Sequence, residues 1–255
     1  MLGYTRYVAL GDSQTEGLWD GDDAAGLTGF ADRLAALVDT HHPGLRYANL
    51  AVRGKQIRDV LSEQLPLAVA MRADLITVCI GMNDVTRPGP GFDDALTQLD
   101  ELYEHLAGTG ATVVTTTFPD LTRILPIGRV LATRVVRIND QIRGAAHRHG
   151  FRLVDLYHAP SMTQPDTWSP DRVHGSARGH MLFAAAAEAL GLPGSSHDWA
   201  RPDPAAAPPS LRSRTYSQVL WTRNMLMPWL WRHLRGRSSG EGRAPRRPAL
   251  QQLTD

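Results

Sequence analysis

One cysteine, Cys79, stands in the 255-residue chain. That excludes a disulfide within the chain and any metal centre built on several thiolates. Its place in the apolar run 75–80 reads as a small buried hydrophobe. Lysine is as scarce, with Lys55 alone, so nearly every side-chain cation is an arginine. No run of 18 or more apolar residues occurs, and a membrane-spanning helix is not expected. The first residues lack a basic start, an apolar centre and a small-residue cleavage site, which makes the cytoplasm the expected location. A glycine-rich loop ending in Gly-Lys-Ser or Gly-Lys-Thr is missing, which argues against nucleoside triphosphate chemistry. The ten histidines show no paired ligand spacing on a helix face, so neither a metal nor another cofactor is expected.

What is present suffices for a folded body. At 42% hydrophobic composition, the chain can bury a sizeable core. The formal net charge of +1 hides an asymmetry. Residues 201–255 hold ten arginines against Asp203, Glu241 and Asp255, a balance of +7, which leaves −6 for the rest. An acidic body carries a basic tail.

Strand and helix signals alternate over the first 190 or so residues. Strands are expected at 7–10, 46–52, 74–80, 112–117 and 151–156, and helices at 30–38, 57–69, 93–106, 131–150 and 177–190. In the first helix Phe30, Leu34, Leu37 and Val38 fall on one face. Five strands alternating with helices predict a parallel five-stranded sheet in a three-layer α/β/α sandwich, a flavodoxin-like arrangement. In such sheets sites form at the carboxyl ends of the strands. Gly11-Asp12-Ser13, Arg53-Gly54, Gly81-Met82-Asn83-Asp84 and the loop after the fifth strand all lie there. The expected organisation is a domain over 1–194, a Pro/Ala-rich linker over 195–218, a Trp/Arg-rich amphipathic segment over 219–237 and a disordered tail over 238–255.

Hydroxyl attack on an ester needs a base to take the proton and donors to hold the oxyanion. Ser13 follows a strand in Gly11-Asp12-Ser13-Gln14-Thr15-Glu16-Gly17. His174 lies late in the chain with Asp171 three residues before it, a spacing that lets a turn fold the acid onto the imidazole. Taken alone, Gly11-Asp12-Ser13 could be a helix cap, Asn83 a turn residue and Gly54 an ordinary glycine after a strand. Among competing histidines, His158 has no matching acid and reads as a surface residue, and His180 reads as packing locally at the start of the last helix.

The four blocks together decide the matter. Gly11-Asp12-Ser13 with Gly17, then Gly54, then Gly81-Met82-Asn83-Asp84, then Asp171-Arg172-Val173-His174 resemble, in order, the blocks of the SGNH hydrolases, the GDSL-like lipases and esterases. The resemblance spans roughly residues 5–190. It implies Ser13 as nucleophile, His174 as general base and Asp171 as its orienting acid. It also implies an oxyanion hole from the Ser13 N–H, the Gly54 N–H and the Asn83 side chain. Asp12 and Asp84 are then supporting residues that shape loops. Two positions depart from the family pattern: Gln14 replaces a leucine, and Gly175 a proline. Gln14 is expected at the pocket floor, and Trp168, in the loop over 157–169, at the acyl pocket. The implied substrate is a small-molecule or lipid acyl ester. An acyltransferase or a carbohydrate O-deacetylase would use the same site, and a non-catalytic binding module the same fold. The Trp/Arg-rich segment would either dock on the body or make peripheral membrane contact. Nucleic acid is not an expected partner, because arginines scattered through proline-rich chain present no folded basic face.

Overall fold

In the computed structural model the described residues are 3–205 except 23, 25, 126 and 127, together with 222, 223, 227 and 240–253. The chain opens with β1 (Arg6–Gly11) and a single turn of helix, α1 (Ser13–Glu16). A small hairpin, β2 (Gly21–Asp22) with β3 (Gly26–Leu27), precedes α2 (Phe30–His41) and β4 (Arg46–Asn49). The next helical stretch is interrupted: α3 (Ile57–Asp59) passes through a π-helical turn at Val60–Gln64 into α4 (Leu65–Ala70). Then come β5 (Leu75–Cys79), α5 (Met82–Thr86), α6 (Phe92–Ala107), β6 (Thr112–Thr116), α7 (Gly128–His149), β7 (Arg152–Val154) and α8 (Ala177–Ala185). Helix α8 tightens to 3₁₀ over Ala186–Leu190. A final strand, β8 (Arg247–Gln252), ends the fold.

The sheet has six strands, in the order β7-β6-β5-β1-β4-β8, and corrects the expectation of five. The five expected strands pair in parallel. The sixth, β8, runs antiparallel along β4, with Arg46 opposite Gln252 and Tyr47 opposite Gln251. It lies within the stretch read as a disordered tail. Its physical reason is the edge of β4, whose unpaired N–H and C=O groups accept another strand. Pro248 is tolerated because β8 is itself an edge strand. Arg246 anchors this return, donating to the Leu27 carbonyl and to Asp32 on α2. Most of the Trp/Arg-rich segment lies outside the described residues. Among the described residues, no helix is long and apolar enough to cross a membrane.

The core lies on both faces of the sheet. Tyr7 and Tyr47 stack across β1 and β4 at 4.9 Å between ring centroids, and the Tyr7 hydroxyl bonds Thr77 Oγ1 at 2.8 Å. Helix α2 buries Phe30, Ala31, Leu34, Ala35 and Val38, while Leu37, expected on that face, is exposed. A stripe of Phe92, Leu96, Leu99, Leu102 and Leu106 buries α6. On α7, Leu131, Val135, Ile138 and Ile142 are buried beside Asn139, whose carboxamide accepts from the Phe118 N–H and donates to the Phe118 carbonyl. That pair ends β6 with both backbone groups satisfied.

Topology places the site. Strand β1 lies between β4 and β5, so the connections after β1 and β5 diverge to opposite sides, leaving a crevice at their carboxyl ends. The register levels those ends, with Gly11 opposite Cys79. Asp12-Ser13 and Gly81-Met82-Asn83 therefore leave the sheet side by side.

Candidate active site

Gly11 makes the turn into α1 at φ 150°. A Cβ there would sit 2.3 Å from the Cys79 carbonyl oxygen and 2.4 Å from Thr15 Oγ1, so only glycine fits. Gln64, in the π-helical turn, grips both backbone groups of Gly11. Its Oε1 accepts from the Gly11 N–H and its Nε2 donates to the Gly11 carbonyl, each at 2.9 Å. Asp12 caps α1 by accepting from the Gln14 N–H. These contacts fix Ser13 at the first position of the helix.

Ser13 Oγ lies 2.6 Å from His174 Nε2, and His174 Nδ1 lies 2.7 Å from Asp171 Oδ2. The carboxylate requires the Nδ1–H tautomer, which leaves Nε2 as acceptor for the serine hydroxyl. Asp171 is densely held. Its Oδ1 accepts from Ser169 Oγ and from the backbone N–H groups of Val173 and His174, and its Oδ2 also accepts from the Trp19 indole. Burial works against its charge. The hydrogen bond and charge of His174, the Ser169 hydroxyl and the His174 amide outweigh that and hold the carboxyl well below the usual carboxylate range.

The remaining expected residues gather around this chain. Gly54 sits at φ 78° in a turn after Arg53, a conformation that favours glycine. The turn is tied to α1 by a buried ion pair. Glu16 accepts from the Arg53 guanidinium at 2.8 Å and from the Arg53 N–H at 2.7 Å. Asn83 Nδ2 donates to Asp12 Oδ2 at 3.0 Å and to the Lys55 carbonyl at 2.8 Å, so the third block touches the first and second. Burial pushes the Asp12 carboxyl up to about 7, against the opposing Gln14 hydrogen bond and the His174 charge. Asp84 accepts from Gln56 Nε2 and from the Ile57 N–H, and burial pushes it up to about 6. It shapes the start of α3.

The two residues expected at the pocket, Trp168 and Gln14, each have defined partners. Trp168 is 8% exposed, donates its indole N–H to the Met162 carbonyl and packs edge-on against Phe183. Its ring fills the core, because a buried indole needs a partner for its N–H and finds one there. The Gln14 side chain accepts from the Gly175 N–H at 3.3 Å, joining the helix of Ser13 to the loop of His174. The two departures from the family pattern thus meet each other. His158 has an acid after all, with Asp155 Oδ2 2.8 Å from its Nδ1, and stays exposed. Sequence reasoning missed Trp19, Gln64, Ser169 and the Glu16–Arg53 pair. Only Glu16 and Arg53, charged residues inside two blocks, carried any signal. Among the described residues, no three His, Cys, Asp or Glu side chains are grouped to hold a metal ion.

Comparison with known proteins settles the family. The profile of the GDSL-like lipase/acylhydrolase family matches residues 9–182. The chain belongs to that family. It is an ester-bond hydrolase with the α/β fold of the SGNH hydrolases. Among solved structures, LAE5, an alpha/beta hydrolase enzyme from the metagenome of Lake Arreo, Spain, is 25% identical, with 75% of this chain and 97% of that chain covered and a TM-score of 0.60. A variant of Axe2, an acetyl xylan esterase from Geobacillus stearothermophilus, is 22% identical over 74% of this chain and 96% of its own, with a TM-score of 0.63. A catalytic mutant of Axe2 is 21% identical over 79% and 99%, also at 0.63. No curated protein matches the chain.

Proposed function

We propose that this GDSL-like hydrolase cleaves carboxylic esters through an acyl-enzyme on Ser13. One observation carries the reading: the unbroken chain Ser13 Oγ, His174 Nε2, His174 Nδ1, Asp171 Oδ2, with links of 2.6 and 2.7 Å. As Ser13 Oγ attacks the ester carbonyl, His174 Nε2 takes the hydroxyl proton, and Asp171 holds the imidazolium in place. Collapse of the tetrahedral intermediate expels the alcohol, which receives that proton from His174. Water, deprotonated by the same Nε2, then attacks the acyl-enzyme and releases the acid and free Ser13.

The oxyanion would be held by the Ser13 N–H, the Gly54 N–H and the Asn83 carboxamide. Asn83 already uses its amide on Asp12 and Lys55, so it would serve the oxyanion by sharing or exchanging the Asp12 contact. Asp12 and Asp84 support this geometry from behind. The catalytic body is residues 1–194, with the C-terminal strand returning to it. The substrates are small-molecule or lipid acyl esters.

A second reading, O-deacetylation of a carbohydrate, is favoured by the structural likeness to Axe2, an acetyl xylan esterase. Both are tested by hydrolysis of p-nitrophenyl esters from acetyl to palmitoyl, and of acetylated xylo-oligosaccharides, by wild type and Ser13→Ala. Turnover by wild type alone supports the reading, and the substrate profile chooses between the two. Equal turnover by both proteins overturns it.

A further inference from the structure

Trp19 belongs to the site by contact with Asp171, yet neither the motif nor the proposed chemistry uses it. It is a large aromatic 42% exposed, at φ 75°, a backbone conformation that bulky residues rarely adopt. Its neighbours enforce that conformation. On one side, His180 Nε2 donates to the Leu18 carbonyl at 3.1 Å, and the Leu18 N–H is bonded to the Ser13 carbonyl. On the other, Asp20 is buried in a two-pronged ion pair with Arg33, at 2.8 and 3.1 Å, and its N–H bonds the Gly17 carbonyl. The turn is clamped at both ends, and the strained residue between them delivers its indole Nε1–H to Asp171 Oδ2 at 2.6 Å. This is the same oxygen that accepts His174 Nδ1–H.

We propose that Trp19 is a positioning residue that locks the rotation of the Asp171 carboxylate so that Oδ2 faces His174 Nδ1. Three donors pin Oδ1, all from Asp171's own loop: the Ser169 hydroxyl and the Val173 and His174 amides. Trp19 supplies a donor to Oδ2 from the far end of the chain, 152 residues away. It ties the base's loop directly to the turn that follows the nucleophile, as Gln14 does on Gly175. A donor shared on one oxygen also draws charge from the bond to His174. The indole therefore acts on kcat through His174, and on substrate affinity not at all. The inference rests on the reading of Ser13, His174 and Asp171 as the catalytic set.

The test is Trp19→Phe in the full chain, which keeps the β-carbon, an aromatic ring and the backbone strain while a smaller phenyl without the N–H donor replaces the indole. With p-nitrophenyl acetate, kcat per folded molecule should fall roughly ten- to a hundredfold, the range set by one hydrogen bond to a charged group, with KM unchanged within about twofold. The downfield proton resonance of His174 Nδ1–H should move, because Asp171 Oδ2 then loses the donor it shares with that bond. An unchanged kcat, an unmoved resonance, or a rise in KM at constant kcat would each overturn the proposal, the last by making Trp19 a substrate contact. Ser13→Ala run alongside separates the two readings. If it retains full turnover, the catalytic set has failed. If it is dead while Trp19→Phe matches wild type, only the positioning role has failed.

Discussion

His180 should make the fold acid-sensitive over a defined window. Its ring is fully buried between α8 and α2, where Nδ1 accepts from the Phe30 N–H at 3.1 Å and Nε2 donates to the Leu18 carbonyl at 3.1 Å. Both bonds require the neutral imidazole, since a second proton on Nδ1 would face the Phe30 donor. Burial pushes its pKa down from 6.5 to about 4, with Leu18 and Asp20 pulling the other way and His174 and Arg33 adding to it. The unfolded chain therefore binds the proton first, and the stability tied to this ring is complete above pH 6.5 and lost as pH falls through about 4. At about 1.4 kcal/mol per pH unit, the full loss is roughly 3 kcal/mol, and about 2 kcal/mol of it falls between pH 7.5 and 5. Asp12 and Asp84, raised by burial to about 7 and about 6, act with the opposite sign. Their folded forms hold protons more tightly than the unfolded chain, so they favour the fold as pH falls. The measurement is therefore a difference: urea unfolding of wild type and His180→Gln at pH 7.5 and pH 5, followed by circular dichroism. Wild type should lose about 2 kcal/mol relative to the variant. An unchanged difference between the two pH values would refute the reasoning.

Other consequences are equally direct. Asn83→Ala should lower kcat by about a hundredfold or more with KM for p-nitrophenyl acetate little changed, as loss of one oxyanion donor does; a loss of less than about fivefold would remove Asn83 from that role. Glu16→Ala leaves the Arg53 guanidinium buried without this carboxylate, and should cost about 3–5 kcal/mol in chemical denaturation and loosen the Gly54 turn. A variant of wild-type stability would show that the pair contributes little. Trp168→Ala should destabilise by about 3–5 kcal/mol through the cavity it leaves, without altering the order of preference among acyl chain lengths. A changed preference at unchanged stability would return Trp168 to the pocket.

The parallel strands were legible because each is a short apolar or β-branched run closed by turn residues, as in Leu75–Cys79 and Thr112–Thr116. The proposed catalytic set was legible because its members and the candidate oxyanion donors lie in four short blocks. What escaped depends on contacts between distant residues. Strand β8 carries Pro248 and no apolar alternation, and its partner β4 lies some two hundred residues earlier, so nothing local marks it. The Trp19 bond to Asp171 leaves no periodic trace, and a left-handed tryptophan contradicts local preference. Leu37 was assigned inward by periodicity, but the buried face of α2 runs through Phe30, Ala31, Leu34, Ala35 and Val38 and leaves Leu37 exposed. Gln64 lay inside an apparently regular helix whose π-helical turn redirects it onto Gly11.

The central claim is that Ser13 is the nucleophile. Incubating the full chain with a fluorophosphonate and mapping the adduct by peptide mass spectrometry tests it most directly. A single adduct on Ser13, formed in step with loss of esterase activity and absent from His174→Ala, is the result expected. Activity that survives complete labelling, or an adduct on another residue with Ser13 unmodified, would contradict it.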